Sequence, residues 1–437
     1  MIPQSEYAAR RARLVKAVGE NSVILVPAAS QVIRTGDACY PFRQNSDFYY
    51  LTGFNEPDAV LVLLPQHSHG EYILFTRKKD PAKEIWDGKI QGLEGVVENY
   101  QVDQAYDIHE FQDILPKLLE NRQRIYLPIG HDLAFDDVIF EAIAGLRAQV
   151  RRGVSAPEEF HNVSPLLHEM RLRKSAAEIE VMKQAAVISI AAHKKAMQVC
   201  QPGINEAMLE AELLYTFHRN GSRSPAYSPI VGSGKNGCIL HYNENNCEIK
   251  NGDLVLIDAG AEYQNYSSDI TRTFPANGKY SKAQAALYNL VLNAQLAAIA
   301  LVKPGTLWMD IQHKIIEIYT HGLVELGVLK GDVKQLIADK TVTKFYMHNS
   351  GHWLGLDTHD VGSYKSNNEW RQLEAGFVLT IEPGLYIPEN TDGVDEKWWN
   401  IGIRIEDDVL VTETGCEVLT KDLPKTIDDI EALMCVN

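Results

Sequence analysis

The sequence predicts two domains, an α/β domain over residues 1–173 and an α+β domain over residues 174–437. Three observations support this prediction. The chain has 437 residues, which is more than one hydrophobic core normally organises. Short β-like runs alternate with helical patterns in the first part, as in α/β proteins. In the second part, long helical patterns are separated from two β-rich stretches, at 225–274 and 376–420, as in α+β proteins.

The first domain begins with an amphipathic pattern, rich in Arg and Ala, that predicts a helix over residues 5–19. Runs of β-branched and aromatic residues predict five strands, at Ser22–Pro27, Phe48–Leu51, Ala59–Leu64, Tyr72–Thr76 and Arg124–Leu127. Apolar periodicity predicts two more helices, near residues 108–120 and 136–147. The segment Ser155-Ala-Pro157 ends this alternation.

The second domain begins with a helix whose start is marked in the sequence. Ser175 and Glu178, three positions apart, form a capping box that predicts a helix over residues 176–200. Apolar residues recur on one face of this helix. Further helices are predicted over residues 205–220, 282–302 and 309–327.

Composition and charge exclude some classes of function. The net charge of −16 disfavours a nucleic-acid partner, because phosphate binding needs a basic surface. The six cysteines include no CxxC pair, which is typical of reduced, cytosolic thiols. No signal-peptide pattern is recognisable, and no uninterrupted apolar run approaches the ~20 residues that cross a bilayer. We therefore expect a cytoplasmic protein without a membrane partner.

One short pattern occurs twice in the second domain, about 120 residues apart. Each copy starts with a glycine, continues as an apolar run and ends in a carboxylate followed by x-Gly; the copies are Gly252–Gly260 and Gly376–Gly384. A single acid at a strand end is more often a turn or cap residue. Two in duplicated settings, Asp258 and Glu382, predict a site between two halves related by a pseudo-two-fold repeat, because a buried acid is costly unless paired or cation-bound.

Each half also supplies a second carboxylate. Asp269 follows Asp258 by eleven residues, and the turn-rich segment between them predicts a hairpin that brings the two acids together. In the other half, Ile401–Asp408 alternates without a break and predicts one strand. Arg404 and Glu406 would then be neighbours on its polar face.

A histidine-rich segment, His348–Asp360, is expected to supply a fifth ligand. The i,i+4 spacing of His348 and His352 superficially resembles a zincin helix, but the motif glutamate is absent and two glycines oppose a helix. We predict instead a loop or strand that presents one histidine. Four carboxylates and a histidine carry a charge of −4, which two divalent cations neutralise. Oxygen-rich ligation favours Mn²⁺, with Co²⁺ or Fe²⁺ as alternatives, and two such ions can activate a water molecule.

The order and setting of these five residues resemble the pita-bread metallopeptidase family, which includes methionine aminopeptidase, prolidase, aminopeptidase P and creatinase. Within it, the chain closely resembles the aminopeptidase P branch, over nearly its whole length. The similar segments are Tyr40–Phe48, Leu51–Pro57, Gly234–Tyr242, Asp269–Phe274, His352–Gly362, Glu382–Ile387 and Gly402–Asp408. The resemblance implies a creatinase-like α/β N-terminal domain and a pita-bread catalytic domain.

The resemblance also implies a ligand set. Asp258 would hold one divalent ion together with the bridging carboxylates Asp269 and Glu406. His352 and Glu382 would complete the site of the second ion, and Glu382 would also accept the proton of the nucleophile. One departure from the family is Asn349, which stands where a glycine is usual. Because Asn tolerates left-handed backbone, we expect a small effect.

Other residues match family positions with roles in substrate binding and catalysis. The resemblance implies that three histidines bind substrate and stabilise the transition state: His241, His348 and His359. Tyr386 and Arg404 would support the ligands, and Trp86 would form an apolar wall for proline in a neighbouring subunit's site. Asp37, Arg151 and Arg371 would form a hydrogen-bond network near the site. The family implies a homotetramer or homodimer.

The implied activity is that of an Xaa-Pro aminopeptidase, which releases the N-terminal residue from peptides with proline at position 2. Prolidase activity on Xaa-Pro dipeptides is the nearest alternative. Methionine aminopeptidase is disfavoured because it lacks so large an N-terminal domain. A non-catalytic pita-bread binding protein is a further alternative, disfavoured together with creatinase-like chemistry because all five ligand positions carry ligand residues.

Overall fold

The computed structural model describes residues 2–68 and 70–435. Contacts divide the chain into two units, Met1–Arg171 and Leu172–Asn437. The sequence predicts the boundary near residue 173.

The N-terminal unit is built around one mixed sheet. Its helices are α1 (Gln4–Val18), α2 (Ser46–Thr52), α3 (Pro81–Asp87), α4 (Gly92–Tyr100), α5 (Phe111–Leu119), α6 (Leu133–Arg147) and α7 (Ser164–Leu172). Its strands are β1 (Ser22–Pro27), β2 (Ile33–Thr35), β3 (Ala38–Cys39), β4 (Val60–Leu63), β5 (Tyr72–Thr76), β6 (Gln104–Asp107), β7 (Arg124–Leu127) and β8 (Glu159–Asn162). Six strands form a sheet in the order β6-β5-β4-β1-β7-β8. Apolar side chains of α5 and α6 pack against this sheet and complete the core.

The prediction of a strand at Phe48–Leu51 is wrong, because these residues lie in α2. Aromatic residues favour strands, but two local signals at the ends of the segment override that preference. The side chain of Asn45 caps the helix by accepting a hydrogen bond from the Phe48 N–H at 2.9 Å. Gly53 ends the helix in the left-handed conformation that glycine adopts most easily.

The second unit combines long helices with small antiparallel sheets. Its helices are α8 (Ala176–Val199), α9 (Glu206–Arg219), α10 (Lys282–Leu301), α11 (Trp308–Glu325), α12 (Val333–Ala338) and α13 (Ile427–Met434). Its strands are β9 (Ser224–Pro225), β10 (Ile230–Ser233), β11 (Leu254–Asp258), β12 (Ala261–Tyr263), β13 (Tyr266–Ser267), β14 (Thr271–Pro275), β15 (Lys365–Ser366), β16 (Glu369–Trp370), β17 (Val378–Ile381), β18 (Gly384–Ile387), β19 (Ile401–Arg404), β20 (Asp407–Val411) and β21 (Cys416–Val418). The predicted capping box of α8 is present.

The internal repeat of the sequence corresponds to two similar pieces of structure. One three-stranded sheet has the order β10-β11-β14 and the other the order β17-β20-β21. Gly252 precedes β11 with φ +92°, and Gly376 precedes β17 with φ +87°. Both glycines therefore occupy left-handed turns that side-chain-bearing residues rarely adopt. The predicted α/β unit followed by an α+β unit with an internal repeat is confirmed.

The prediction that Ile401–Asp408 forms one unbroken strand is wrong. β19 ends at Arg404 and pairs with β18, whereas β20 begins at Asp407 and pairs with β17. At the two residues between them, the chain passes from one sheet to the other. Here the backbone N–H of Glu406 donates to the Thr271 carbonyl at 3.1 Å. The alternation of isoleucine with other residues runs on through Ile405 and Glu406, past the end of β19, so the pattern alone cannot reveal the break.

By length and composition, α10 is the one helix among the described residues that could cross a membrane, with a mean hydropathy of 1.3. Such a test is weak evidence, because a core helix of a soluble protein passes it too. The contacts of α10 are those of a core helix. Leu287, Val291 and Ala294 are fully buried in the core of the second unit, and the Gln295 amide donates to the buried Asp407 carboxylate at 2.7 Å.

Candidate active site

The first two acids are brought together by the β11–β14 pair. The strands are antiparallel, and Asp258 at the end of β11 lies opposite Thr271 at the start of β14. Asp269 precedes β14 by two residues, so both carboxylates lie at the same end of the hairpin, as predicted. The chains approach closely here, since a Cβ on Gly260 would lie 1.6 Å from the Ser268 carbonyl oxygen. Glycine at position 260, two residues after Asp258, is therefore a steric requirement.

The second pair of acids comes from the equivalent part of the other half. Glu382 directly follows β17, and Glu406 lies between β19 and β20. The Thr271 hydroxyl donates to Glu406 Oε2 at 2.7 Å and thereby joins the two halves at the site. The Glu382 N–H donates to the Ser350 carbonyl at 2.9 Å, which fixes Glu382 beside the histidine-rich segment.

His352 lies in an irregular loop, as predicted, and its orientation is fixed on both sides. The Thr380 hydroxyl accepts from the His352 backbone N–H at 3.0 Å. The ring Nδ1 lies 2.9 Å from the Trp353 carbonyl, so Nδ1 carries the proton that it donates there. Nε2 consequently faces the acids, 3.3 Å from Asp269 Oδ2 and 3.7 Å from Glu382 Oε1. Such a backbone contact is how ligand histidines are commonly oriented.

All five predicted ligand residues line one cavity of about 330 Å³. Asp269, His352 and Glu406 each offer a ligand atom, and the three atoms lie within 4.8 Å of one another. The two acids of this trio are almost fully buried. The arrangement is of the kind that could hold a metal ion.

The electrostatics of the cavity also fit a cation. Burial and the neighbouring Asp269 raise the pKa of Glu406 well above its usual range, and burial raises the pKa of Glu382 to about 7. Burial opposes protonation of His352, but the carboxylates of Asp269 and Glu382 outweigh it and raise its pKa to about 9. Without a metal ion, Glu406, Glu382 and His352 thus retain protons more readily than usual. Bound divalent cations would replace those protons.

Arg404 supplies the one guanidinium among the residues lining this cavity. Its Nη2 forms an ion pair with Asp258 Oδ2 at 2.5 Å, and its Nη1 donates to the Tyr386 hydroxyl at 2.9 Å. Its Nε donates to the Thr271 hydroxyl at 3.0 Å. Arg404 therefore orients Asp258 and neutralises part of the negative charge of the carboxylates. Its hydrogen bond to the Tyr386 hydroxyl links Tyr386 to Asp258.

The three further histidines reach the cavity from different directions. His348 is half-buried, and its Nε2 lies 2.9 Å from the Tyr386 hydroxyl. Burial lowers the pKa of His348 to about 4, so its ring is neutral. His241 and His359 are exposed on loops at the mouth. The ring of His359 packs edge-on against that of His352, with centroids 4.4 Å apart.

Tyr227 is a site residue that the sequence analysis missed. Its hydroxyl lies 2.6 Å from Asp258 Oδ1 and within hydrogen-bond distance of Asp269 Oδ1, so it can donate to either carboxylate. Tyr227 also lines a second cavity of about 400 Å³, which shares His241 and His359 with the first. A tyrosine in an irregular segment carries no pattern that marks it, and only the fold reveals the contact.

Four residues to which the family resemblance assigns site roles do not line the cavity. Trp86 is 86% exposed on α3, and Asp37 and Arg151 are exposed in the N-terminal unit. Arg371 belongs to the second unit, where it pairs with Glu374 at 3.8 Å and its guanidinium faces the Phe377 ring. Arg371 does not line the cavity. The roles implied for these four residues stay predictions.

Comparison with known proteins gives the same picture for both units. Residues 180–413 match the model of metallopeptidase family M24, and residues 7–126 match that of the aminopeptidase P N-terminal domain. The Xaa-Pro aminopeptidase of Escherichia coli is 46% identical over 99% of this chain and 98% of its own, and that of Haemophilus influenzae is 45% identical over the same shares.

Solved structures extend the similarity to the whole backbone. An aminopeptidase from Pseudomonas aeruginosa has a TM-score of 0.98 at 50% identity, covering 99% of this chain and 98% of that one. A zinc-substituted aminopeptidase P from E. coli in complex with product has a TM-score of 0.96 at 46% identity, with the same coverage. The chain therefore belongs to metallopeptidase family M24 and, within it, to the Xaa-Pro aminopeptidases, which are metal-dependent hydrolases.

Proposed function

We propose that the cavity holds two divalent metal ions, Mn²⁺ in preference to other metals, and hydrolyses the first peptide bond of Xaa-Pro peptides. Asp258, with Asp269 and Glu406, would hold one ion. His352 and Glu382, with the same two shared acids, would hold the other. The observation that carries the proposal is the meeting of four carboxylates and one histidine from both halves in one cavity.

The charge balance supports two ions over one. Four carboxylates carry −4, and Arg404 supplies one positive charge at Asp258. The sum of −3 would become −1 with a single divalent ion, an uncompensated charge that is unfavourable in a buried site. Two divalent ions together with one hydroxide would bring the sum to zero. When bound, the ions supply Lewis acidity and lower the pKa of a water molecule.

Glu382 is the residue that we assign to proton transfer. A group transfers protons best when its pKa lies near the working pH. Burial brings the pKa of Glu382 to about 7 with the protein groups alone. Its Oε2 lies 3.7 Å from His348 Nδ1 on the cavity side. In this proposal the Glu382 carboxylate takes the proton of the attacking water and returns it to the proline nitrogen.

His241 and His359 are assigned to the developing negative charge on the substrate carbonyl oxygen. Both rings are at the mouth, where a peptide would enter. Burial and the nearby His352 lower the pKa of His359, which favours a neutral ring. A neutral imidazole donates one N–H, and such a donor aimed at the oxygen stabilises the transition state.

Proline-specific trimming makes particular demands on the site. An Xaa-Pro bond has no N–H, so recognition must come from the carbonyl, the free amino terminus and an apolar wall for the ring. We propose that Trp86 of a neighbouring subunit supplies this wall and that Asp37, Arg151 and Arg371 form a hydrogen-bond network near the site, in a cytoplasmic homotetramer or homodimer. Trp86 and its neighbour Ile85 are 86% and 82% exposed, and contiguous exposed apolar surface often marks a protein–protein interaction site.

The proposal is tested by hydrolysis of matched peptides before and after chelation. The protein should cleave Xaa-Pro-Yaa, lose activity on chelation and regain it with Mn²⁺, while Xaa-Ala-Yaa stays intact. Turnover of Xaa-Pro dipeptides alone would instead indicate a prolidase. Activity that survives complete metal removal would contradict the metal-dependent mechanism.

A further inference from the structure

Glu206 is a fully buried carboxylate that no step of the proposed reaction uses. It is the first residue of α9, directly after the N-cap Asn205. Five donors converge on it. Oε1 accepts from the Ser233 N–H at 2.8 Å, the Ser233 hydroxyl at 2.8 Å and the Asn236 amide at 3.1 Å. Oε2 accepts from the Tyr242 hydroxyl at 2.8 Å and the Cys247 N–H at 2.9 Å.

These donors hold the segment that carries His241. We call residues 234–247, which follow β10, the His241 loop. Ser233 stands just before the loop, Tyr242 directly follows His241, and Cys247 ends the loop. Glu206 therefore binds the loop at its start, beside His241 and at its end. Tyr242 is buried at 6% exposure, whereas His241 is exposed in the cavity.

A second carboxylate on the same helix face supports the same loop. Glu210, one turn after Glu206, accepts from the Asn245 amide at 2.9 Å. Asn245 has φ +46° and binds the strand beneath through its side chain, which accepts from the Val231 N–H and donates to the Pro229 carbonyl. The start of α9 thus fixes the conformation of the loop through several charge-assisted hydrogen bonds, which are stronger than neutral ones.

We propose that Glu206 is a positioning residue for the peptidase reaction, acting through His241 by fixing the backbone of the His241 loop. The inference rests on the role proposed for His241 above. The negative charge of Glu206 is stabilised at the N-terminus of α9, where the helix dipole favours anions. A displacement of about 1 Å in a group that contacts the transition state can reduce the rate by about 100-fold. Loosening the loop should therefore reduce turnover without altering the metal ligands.

The variant Glu206→Gln tests this idea at constant size. A carboxylate accepts at both oxygens, but an amide replaces one acceptor with an NH₂ donor. Whichever way the amide turns, its NH₂ group faces a backbone N–H, either that of Ser233 or that of Cys247. One anchor of the loop must therefore break. Glu212→Gln, on the same helix but outside this network, is the matched control.

The decisive experiment is a double-mutant cycle of Glu206→Gln and His241→Ala, with kcat and KM measured on an Xaa-Pro-Yaa peptide in the Mn²⁺-loaded enzyme. We expect Glu206→Gln to lower kcat/KM by between about 10-fold and about 100-fold in the otherwise native chain. In the His241→Ala background the same change should cost less than about 2-fold, because the group it positions is gone. An equal loss in both backgrounds, or no loss in the native one, would overturn the proposal.

The same set of proteins separates this proposal from the proposed function. If His241→Ala alone keeps full activity, the role assigned to His241 is wrong and the positioning role is wrong with it. If His241→Ala is impaired and the cycle is additive, the proposed function stands and only the role of Glu206 fails. Should Glu206→Gln not fold, Tyr242→Phe replaces it in the cycle, because it removes one of the five donors and keeps the ring.

Hydrogen exchange gives a readout that does not depend on activity. Amides of residues 233–247 should exchange faster in Glu206→Gln than in the native protein or in Glu212→Gln, while those of β11 and β17 stay protected. Unchanged exchange in the His241 loop would contradict the proposal, as would a general rise across the second unit.

Discussion

At the scale of single residues, Glu382 carries the largest share of the proposed chemistry. Replacing it with Ala should lower kcat on Xaa-Pro-Yaa by at least about 100-fold, because the change removes both the group that we assign to proton transfer and one proposed ligand of the second ion. The protein should stay folded, since the change removes one of several crowded negative charges. Glu389→Ala, at an exposed turn seven residues further on, is the control and should keep full activity. Native turnover by a folded Glu382→Ala protein would refute the assignment.

His193 gives a prediction about pH and stability. Its ring is fully buried, with Nε2 2.8 Å from the Ala259 carbonyl and Nδ1 without a hydrogen-bond partner among the described residues. Burial lowers its pKa from 6.5 to about 4. Below pH 6.5 the unfolded chain therefore takes up a proton that the folded chain does not, so stability falls as the pH falls towards 4.

His193→Gln removes this contribution while it keeps a side-chain donor for the Ala259 carbonyl. Between pH 7 and pH 5, the native protein should lose about 2 kcal/mol more of its unfolding free energy than the variant does. Urea unfolding at the two pH values measures the difference. His321→Gln, at an exposed position on α11, should behave like the native protein. A His193→Gln profile as steep as the native one would show that this histidine is not buried in neutral form.

At the scale of elements, the site depends on the close approach of two chain segments, the one that follows Asp258 and the one that precedes Asp269. Gly260→Ala would place a methyl group 1.6 Å from the Ser268 carbonyl oxygen. Backbone cannot move aside as a flexible side chain does, so we expect a loss of more than about 2 kcal/mol in stability. We also expect reduced activity, because Asp269 follows Ser268 directly.

A glycine with free space around it provides the control for that change. Gly415 precedes β21, and among the described residues none apart from its two chain neighbours has an atom within 4 Å of an added Cβ. Gly415→Ala should therefore shift the melting temperature by little and keep native turnover. If Gly260→Ala were as stable and as active as Gly415→Ala, the close approach of the two chain segments would not be required.

Elements with strong local signals could be predicted from the sequence, and those decided by context could not. The capping box at Ser175 and the periodicity after it predict α8 to within a residue at each end. The sequence predicts a strand for the aromatic run in α2 because the Asn45 cap and the Gly53 end are weaker signals than three consecutive aromatic residues. The break between β19 and β20 is not predictable from the sequence, because the alternation of residues continues past the end of β19.

At the scale of the whole molecule, the sequence predicted the acids of the site better than their surroundings. The duplicated Gly-to-acid pattern identifies Asp258 and Glu382 because each half must repeat the same turn and strand. Tyr227, Thr271 and Glu206 act through contacts between elements distant in sequence, and nothing in their local sequence marks them. The structure adds these supporting contacts. One of them, the hydrogen bond from the Thr271 hydroxyl to Glu406, joins the two halves at the site.

Our central claim is that activity requires two metal ions held between the two halves of the second unit. The most direct test is a titration of metal-free protein with Mn²⁺ while hydrolysis of an Xaa-Pro-Yaa peptide is followed. Our account predicts that activity rises until two ions are bound per chain and then stays constant. A plateau at one ion per chain, or full activity before any metal is added, would contradict it.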